Sequence, residues 1–122
     1  MKKNALLVLP ILFVVWSTNV LAEYKVKFQG EKFTATITSH CDEGNVSCDD
    51  VTYQAKNNNN GKSITLAGKT VNSNCPAVCD FRGYEFKNGP YRYSLLSGNK
   101  EEWMLNVFKN GKLIATDTGL VN

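Results

Sequence analysis

From Tyr24 onward the chain alternates between apolar and polar residues. Lys25 and Lys27 separate Tyr24, Val26 and Phe28, and after Gln29-Gly30-Glu31-Lys32 the pattern resumes with Phe33, Ala35 and Ile37 between threonines. Placing Phe28 opposite Phe33, Val26 opposite Ala35 and Tyr24 opposite Ile37 puts all six on one face. This predicts a half-buried antiparallel hairpin with a four-residue loop. Val51, Tyr53 and Ala55 form a third strand. Lys56 and the run Asn57-Asn58-Asn59-Asn60-Gly61 break it, and Ile64 and Leu66 continue on the return. The asparagine run ending in Asn-Gly reads as a hairpin loop tolerant of positive φ. Gly68 and Asn72-Ser73-Asn74 mark a turn-rich stretch leading into Cys75.

Two later hairpins share the string Phe-Lys-Asn-Gly. In one, Phe86 faces Tyr91 and Tyr84 faces Tyr93 across Asn88-Gly89, while Glu85 and Arg92 pair on the other face. The four aromatics are expected to serve as core, ahead of a stacking platform for sugar or peptide. In the other, Val107 faces Ile114 and Leu105 faces Thr116 across Asn110-Gly111. Trp103, Leu105, Val107 and Ile114 then point inward, and Met104, Phe108 and Leu113 form a second apolar face. That face is either covered or a contact surface. No segment carries a sustained helical period. The expected fold is all-β, a small antiparallel barrel or sandwich of about eight short strands in hairpins.

Residues 1–22 break this pattern. Lys2 and Lys3 precede an uncharged apolar run from Ala5 to Trp16, and a more polar stretch ends Val20-Leu21-Ala22. This is the three-part pattern of a cleavable signal peptide. The run of about 12 apolar residues is short against the roughly 20 a membrane span needs. The expected working protein is residues 23–122, a single β domain of about 100 residues with no membrane span, periplasmic or secreted. Loss of Lys2 and Lys3 lowers the formal charge from +3 to about +1, which removes the case for a nucleic-acid partner.

All four cysteines, Cys41, Cys48, Cys75 and Cys79, lie in the exported part. Export favours two disulfides, and the spacings are not those of zinc fingers. Three pairings are open. A Cys41–Cys79 bond would close the longest of the loops weighed and constrain the unfolded chain by about 4 kcal/mol, against about 2.5 and 2 for the local pairs. Local pairing, Cys41 with Cys48 and Cys75 with Cys79, is favoured because Cys41 and Cys48 flank what reads as a hairpin end. A domain this small buries too little surface to be robust without such staples.

Three blocks resemble a known family. They are Cys41 to Tyr53 (CDEGNVSCDDVTY), Gly61 to Leu66 with Gly68-Lys69-Thr70, and Cys79 to Gly89 (CDFRGYEFKNG). Together, over roughly 41–89, they resemble the Fels prophage protein-like family of small exported enterobacterial proteins. The resemblance implies an exported protein of phage or horizontally acquired origin. It brings no activity and no catalytic residues to carry over.

The chemistry-bearing residues are sparse. His40 is the one histidine. A Cys–His nucleophile with Cys41 would need a thiolate that a disulfide removes, and no G-x-S-x-G elbow supports a serine site. A small hydrolase using His40 is the weakest reading. Asp42, Glu43, Asp49 and Asp50 crowd the Cys41–Cys48 segment. They lack the ordered spacing of a calcium loop and carry no metal or cofactor expectation. Their plainest role is a solvated acidic turn, and their functional one is a rigid acidic surface that docks on a basic partner. The expected function is a non-enzymatic binding protein of the cell envelope, an inhibitor or immunity-type protein against a hydrolase or toxin. The alternative is an envelope structural or surface-interaction protein of prophage or acquired origin.

Overall fold

The computed structural model describes residues 23–42, 44–99 and 101–122. The signal-peptide reading of residues 1–22, and Glu43, lie outside the described residues. Eight strands follow one another: β1 (Tyr24–Gly30), β2 (Phe33–Ser39), β3 (Val51–Asn57), β4 (Ser63–Ser73), β5 (Asp80–Asn88), β6 (Tyr91–Ser97), β7 (Glu102–Lys109) and β8 (Lys112–Val121). Each pairs antiparallel with the next, and β8 returns to β1 through Phe28 opposite Val121 and Gly30 opposite Gly119. The result is a closed up-and-down barrel, which settles barrel against sandwich and leaves no open sheet.

Period-two alternation decides what lies inside. Phe28, Ile37, Tyr53, Phe86, Leu95 and Leu105 are fully buried, and burying side chains of this kind contributes about 1.5–3 kcal/mol each. An aromatic column fills the lumen. Trp103 stacks on Tyr84 at 6.3 Å, Tyr84 on Phe86 at 6.1 Å and Phe86 on Tyr53 at 4.6 Å, with Tyr93 tilted at 5.8 Å from Tyr53. Core packing is therefore what the aromatic hairpin does. Lys25, Lys27, Gln54 and Lys56 face outward and are exposed. Apolar inside and polar outside is the reverse of a lipid-facing barrel. Among the described residues no helix is long and apolar enough to cross a membrane.

Several pairings differ from the expected ones. In the first hairpin Phe28 opposes Ala35, not Phe33, and the connection shrinks to Glu31 and Lys32. The shift of two residues keeps every side chain on its face. The tighter turn is held by Asp117 of β8, whose buried carboxylate accepts N–H bonds from Glu31 (3.1 Å), Lys32 (3.0 Å) and Phe33 (3.0 Å), and from Thr118 (3.0 Å). In the third hairpin Phe86 opposes Tyr93 and Tyr84 opposes Leu95. Again the shift is two residues, and it moves Pro90 out of the ladder, where its missing N–H would leave a gap, into the turn. The Glu85–Arg92 ion pair survives as a diagonal contact at 3.6 Å.

The fourth hairpin turns at Asn110 (φ 52°) and Gly111 (φ 81°), the positive angles an Asn-Gly loop supplies. A bulge then separates Phe108 opposite Leu113 from Val107 opposite Ala115. Ile114 is the extra residue, and it is turned out to solvent instead of into the core. Everything after it changes face, which carries Asp117 inside. The outer apolar face is also interrupted. Arg92 covers the Phe108 ring at 4.2 Å, and a Thr116–Asn106 hydrogen bond of 2.8 Å lies between Leu113 and Met104. Finally, β4 runs straight through the stretch expected to turn. Gly68 is needed there because the Glu85 carbonyl and the Phe86 ring occupy the space of a side chain. The turn begins only at Asn74, with φ 62°.

Candidate functional site

Alternating strand directions sort the connections onto two ends of the barrel. The β1–β2, β3–β4, β5–β6 and β7–β8 turns lie at one end, and the short connection 98–101 and the two long ones, 40–50 and 74–79, lie at the other. Cys41 is bonded to Cys48 and Cys75 to Cys79, so each long connection is closed by its own disulfide. This is the local pairing favoured from the sequence.

A polar tie joins the two stapled loops. Cys48 N–H donates to the Thr70 hydroxyl at 2.9 Å, and Thr70 N–H donates to the Cys48 carbonyl at 2.8 Å. The Thr70 hydroxyl donates in turn to Asn72 Oδ1 at 2.8 Å. Asn72 Nδ2 then donates to the Val46 carbonyl at 3.0 Å and to the Cys79 carbonyl at 3.3 Å. One amide side chain thus uses its acceptor and both donors to fasten both loops to β4. Below it, His40 N–H donates to the Asp50 carbonyl at 2.9 Å and closes the mouth of the first loop.

A second bulge shapes this end. Val71 opposes Gly83 while Asn72 opposes Phe81, so Arg82 is the extra residue. Gly83 sits at φ 149° with its backbone against the Leu95 carbonyl, where a Cβ would collide. Arg82 is held outward by a 2.8 Å bond to the Ser73 hydroxyl. Phe81 consequently swings to the side of Tyr84, which it meets edge-on at 5.2 Å, with Trp103 at 6.2 Å. Phe81 forms one wall of a cleft of about 320 Å³. Tyr24, Val46 and the Cys41–Cys48 disulfide form the other, with Asp42 at its edge. Tyr24 is 63% exposed, Val46 52% and Phe81 39%, so apolar surface is presented, not hidden. Tyr84 lies at the floor. Burial pushes its phenol above the ordinary value, and a hydrogen bond to Ser39 partly offsets this.

No family, no curated protein and no solved structure matches this chain. The functional reading therefore rests on the residues of this end.

The acidic residues named from the sequence separate here. Asp42 borders the apolar cleft. Asp49 lies on the far side of Cys48, beside an open groove it shares with Lys69 and Glu85. Asp50 is exposed, and its carbonyl serves the loop closure. Among the described residues no group of three or more acidic, cysteine or histidine side chains is arranged to hold a metal. His40 has both ring nitrogens engaged, with Glu23 at 2.9 Å and Thr52 at 2.9 Å. Cys41 is disulfide-bonded and offers no thiolate beside it. The residues that sequence reasoning missed are Phe81, Tyr24 and Asn72. Phe81 has the wrong parity for the Tyr84 face, and only Gly83, an isolated glycine in a strand, signals the bulge that moves it.

Proposed function

We propose that this chain is an exported, non-enzymatic binding module that grips a protein partner in the cell envelope with its stapled end. It would act as an inhibitor or immunity-type protein against a hydrolase or toxin. One observation carries the reading. Two covalently closed loops, tied together by Asn72, adjoin a cleft around which Val46 of the first loop, Tyr24 of β1 and Phe81 of β5 are exposed, with Asp42 at the edge. Exposed aromatic anchors on a rigid frame are the material of interface hot spots, and rigidity lowers the ordering cost of binding. Carboxylates at the rim steer a basic partner more than they tighten it. The leader pattern and the two disulfides support a periplasmic or secreted setting. The resemblance over roughly 41–89 supports a prophage or acquired origin.

The test is inhibition of a panel of peptidoglycan hydrolases and bacterial toxins by the purified protein. One member of the panel should lose activity at a stoichiometric ratio, and Phe81→Asp should restore it. Replacing Asp42, Asp49 and Asp50 with alanine should slow association at low salt with little change in dissociation. If capture is unchanged by the alanine set, the acidic contribution is wrong. If Phe81→Asp also leaves inhibition intact, the stapled end is not the interface.

A structural or surface-interaction role in the envelope is favoured by a different observation, the exposure of Met104, Leu113, Ile114 and Leu120 on the outer wall. That role requires self-association in analytical ultracentrifugation, and Leu113→Asp should abolish it. A monomer at high concentration excludes it.

A further inference from the structure

The nearly neutral average charge conceals a polarised molecule. Lys32, Lys56, Lys62, Lys87, Lys109 and Lys112 all lie in or beside the four hairpin turns and are all exposed. Among the described residues none of the six takes part in an ion pair. Glu31 is the one acidic residue within those turns. Among the described residues the opposite end holds Glu23, Asp42, Asp49, Asp50, Asp80, Glu101 and Glu102 against Lys25, Lys69 and Arg82, so acidic residues are in excess there. The barrel is therefore basic at its hairpin end and acidic at its stapled end.

Apolar side chains accompany the lysines. β1 stops pairing with β8 at Gly30 opposite Gly119, so the first half of β8 runs past the β1–β2 turn. On that stretch Leu113 and Ile114 are each 52% exposed, directly after Lys112. Ile114 is there because the bulge turned it out of the lumen. A purely electrostatic site for a soluble polyanion has no use for two exposed aliphatic residues at its tip. An anionic bilayer does. Its surface potential attracts lysines within a Debye length of about 8 Å, and its interfacial zone accepts apolar side chains.

We propose that the hairpin end is a peripheral docking surface for an anionic phospholipid bilayer. The six lysines meet headgroup phosphates, and Leu113 and Ile114 enter the interface between headgroups and acyl chains. The charge polarity orients the molecule, so the stapled end faces away from the membrane. This inference does not rest on the function proposed for the stapled end. Together they describe a module that lies on a membrane and presents its gripping end outward.

The experiment is partitioning of the full 122-residue chain onto phosphatidylcholine vesicles, with and without about one-third phosphatidylglycerol. Two double variants run alongside it, so that whatever residues 1–22 contribute is common to all three. The wild type should prefer the anionic vesicles by tenfold or more at low salt and lose that preference near half-molar salt. Lys109→Gln with Lys112→Gln should lower the preference by about fivefold per lysine. Leu113→Ser with Ile114→Ser should weaken anionic-vesicle binding several-fold while keeping its salt dependence. Circular dichroism confirms that these surface variants keep the barrel. An equal affinity for neutral vesicles, or a preference untouched by the lysine changes, overturns the proposal. So does heparin binding as tight as vesicle binding with no effect of the Leu113 and Ile114 changes, because the site would then be a general polyanion surface.

Discussion

The two ends of this barrel solve the same problem, reversing the chain between antiparallel strands, with different means. At the hairpin end three of the four turns need only two residues, and turn geometry or a single buried side chain holds them. Asn110 and Gly111 supply positive φ, and the buried Asp117 carboxylate gathers four backbone N–H groups around the β1–β2 turn. At the stapled end the connections 40–50 and 74–79 are too long for turn geometry to fix, and each is closed by a disulfide and tied by Asn72. Short connections leave little surface to recognise a partner. Long ones provide that surface but must be constrained to keep a shape. The apolar cleft lies at the end where constraint was needed.

Breaking each device separately tests this contrast. The largest effect is expected at Asp117. Asp117→Ala removes a buried acceptor of four hydrogen bonds, and bonds to a charged group are worth about 1.5–3 kcal/mol each when intact. Part of the loss is recovered by water at the turn. We expect a fall in unfolding free energy of about 3 kcal/mol, read from the denaturant midpoint, with faster amide exchange confined first to β1, β2 and β8. Next is the double change Cys41→Ser with Cys48→Ser, expected to lower stability by about 2.5 kcal/mol through the freed loop. It should also reduce binding at the stapled end, which Asp117→Ala should leave intact in the remaining folded fraction. Asn72→Ala is smaller, about 1–1.5 kcal/mol. Its signature is raised exchange at both Val46 and Cys79 neighbourhoods at once, with both disulfides unbroken. If only one loop loosens, Asn72 is not the tie between them.

These devices differ in how far the sequence reveals them. Alternation placed Val26, Phe28, Ala35 and Ile37 inside correctly, because a side chain's face depends only on parity, whereas Tyr24 of the same face lies exposed at the start of β1. The same property hides register. Phe28 opposite Phe33 and Phe28 opposite Ala35 give identical patterns, and the choice was made by Asp117, which is 84 residues from Phe33 in the chain. A bulge is worse than a shift, since one extra residue reverses parity for everything beyond it. Ile114 was therefore expected inside and lies outside, and the same bulge carries Asp117 inside. The cysteine pairing was legible as a preference because the partners flank loops. The acidic residues were legible as a cluster, but not the directions that divide Asp42 from Asp49 across Cys48.

Two buried tyrosines carry the comparison into the lumen and give the smallest expected effect. Tyr84 lies under the stapled mouth with its phenol bonded to Ser39. Tyr53 lies under the hairpin mouth, beside the cavity lined by Phe33 and Tyr93, and its hydroxyl has no partner among the described residues. Burial pushes both phenols above their ordinary value, and for Tyr53 the nearby Tyr93 and Asp117 add to the rise. A raised pKa means the folded state holds the neutral phenol. The stabilising contribution is whole below about pH 10, the unfolded value, and is lost as pH climbs above it, because the unfolded chain gives up its proton first. At pH 7, Tyr84→Phe should cost about 1 kcal/mol for the lost bond, whereas Tyr53→Phe should change stability by less than about 0.5 kcal/mol. Between pH 10 and 11 the order of interest reverses. Tyr53→Phe should visibly flatten the alkaline fall in the denaturant midpoint, since the group most resistant to ionisation has been removed. A Tyr53→Phe protein that loses as much as Tyr84→Phe at pH 7 would mean that its hydroxyl is satisfied within the lumen. The hairpin half of the interior would then be as fully bonded as the stapled half.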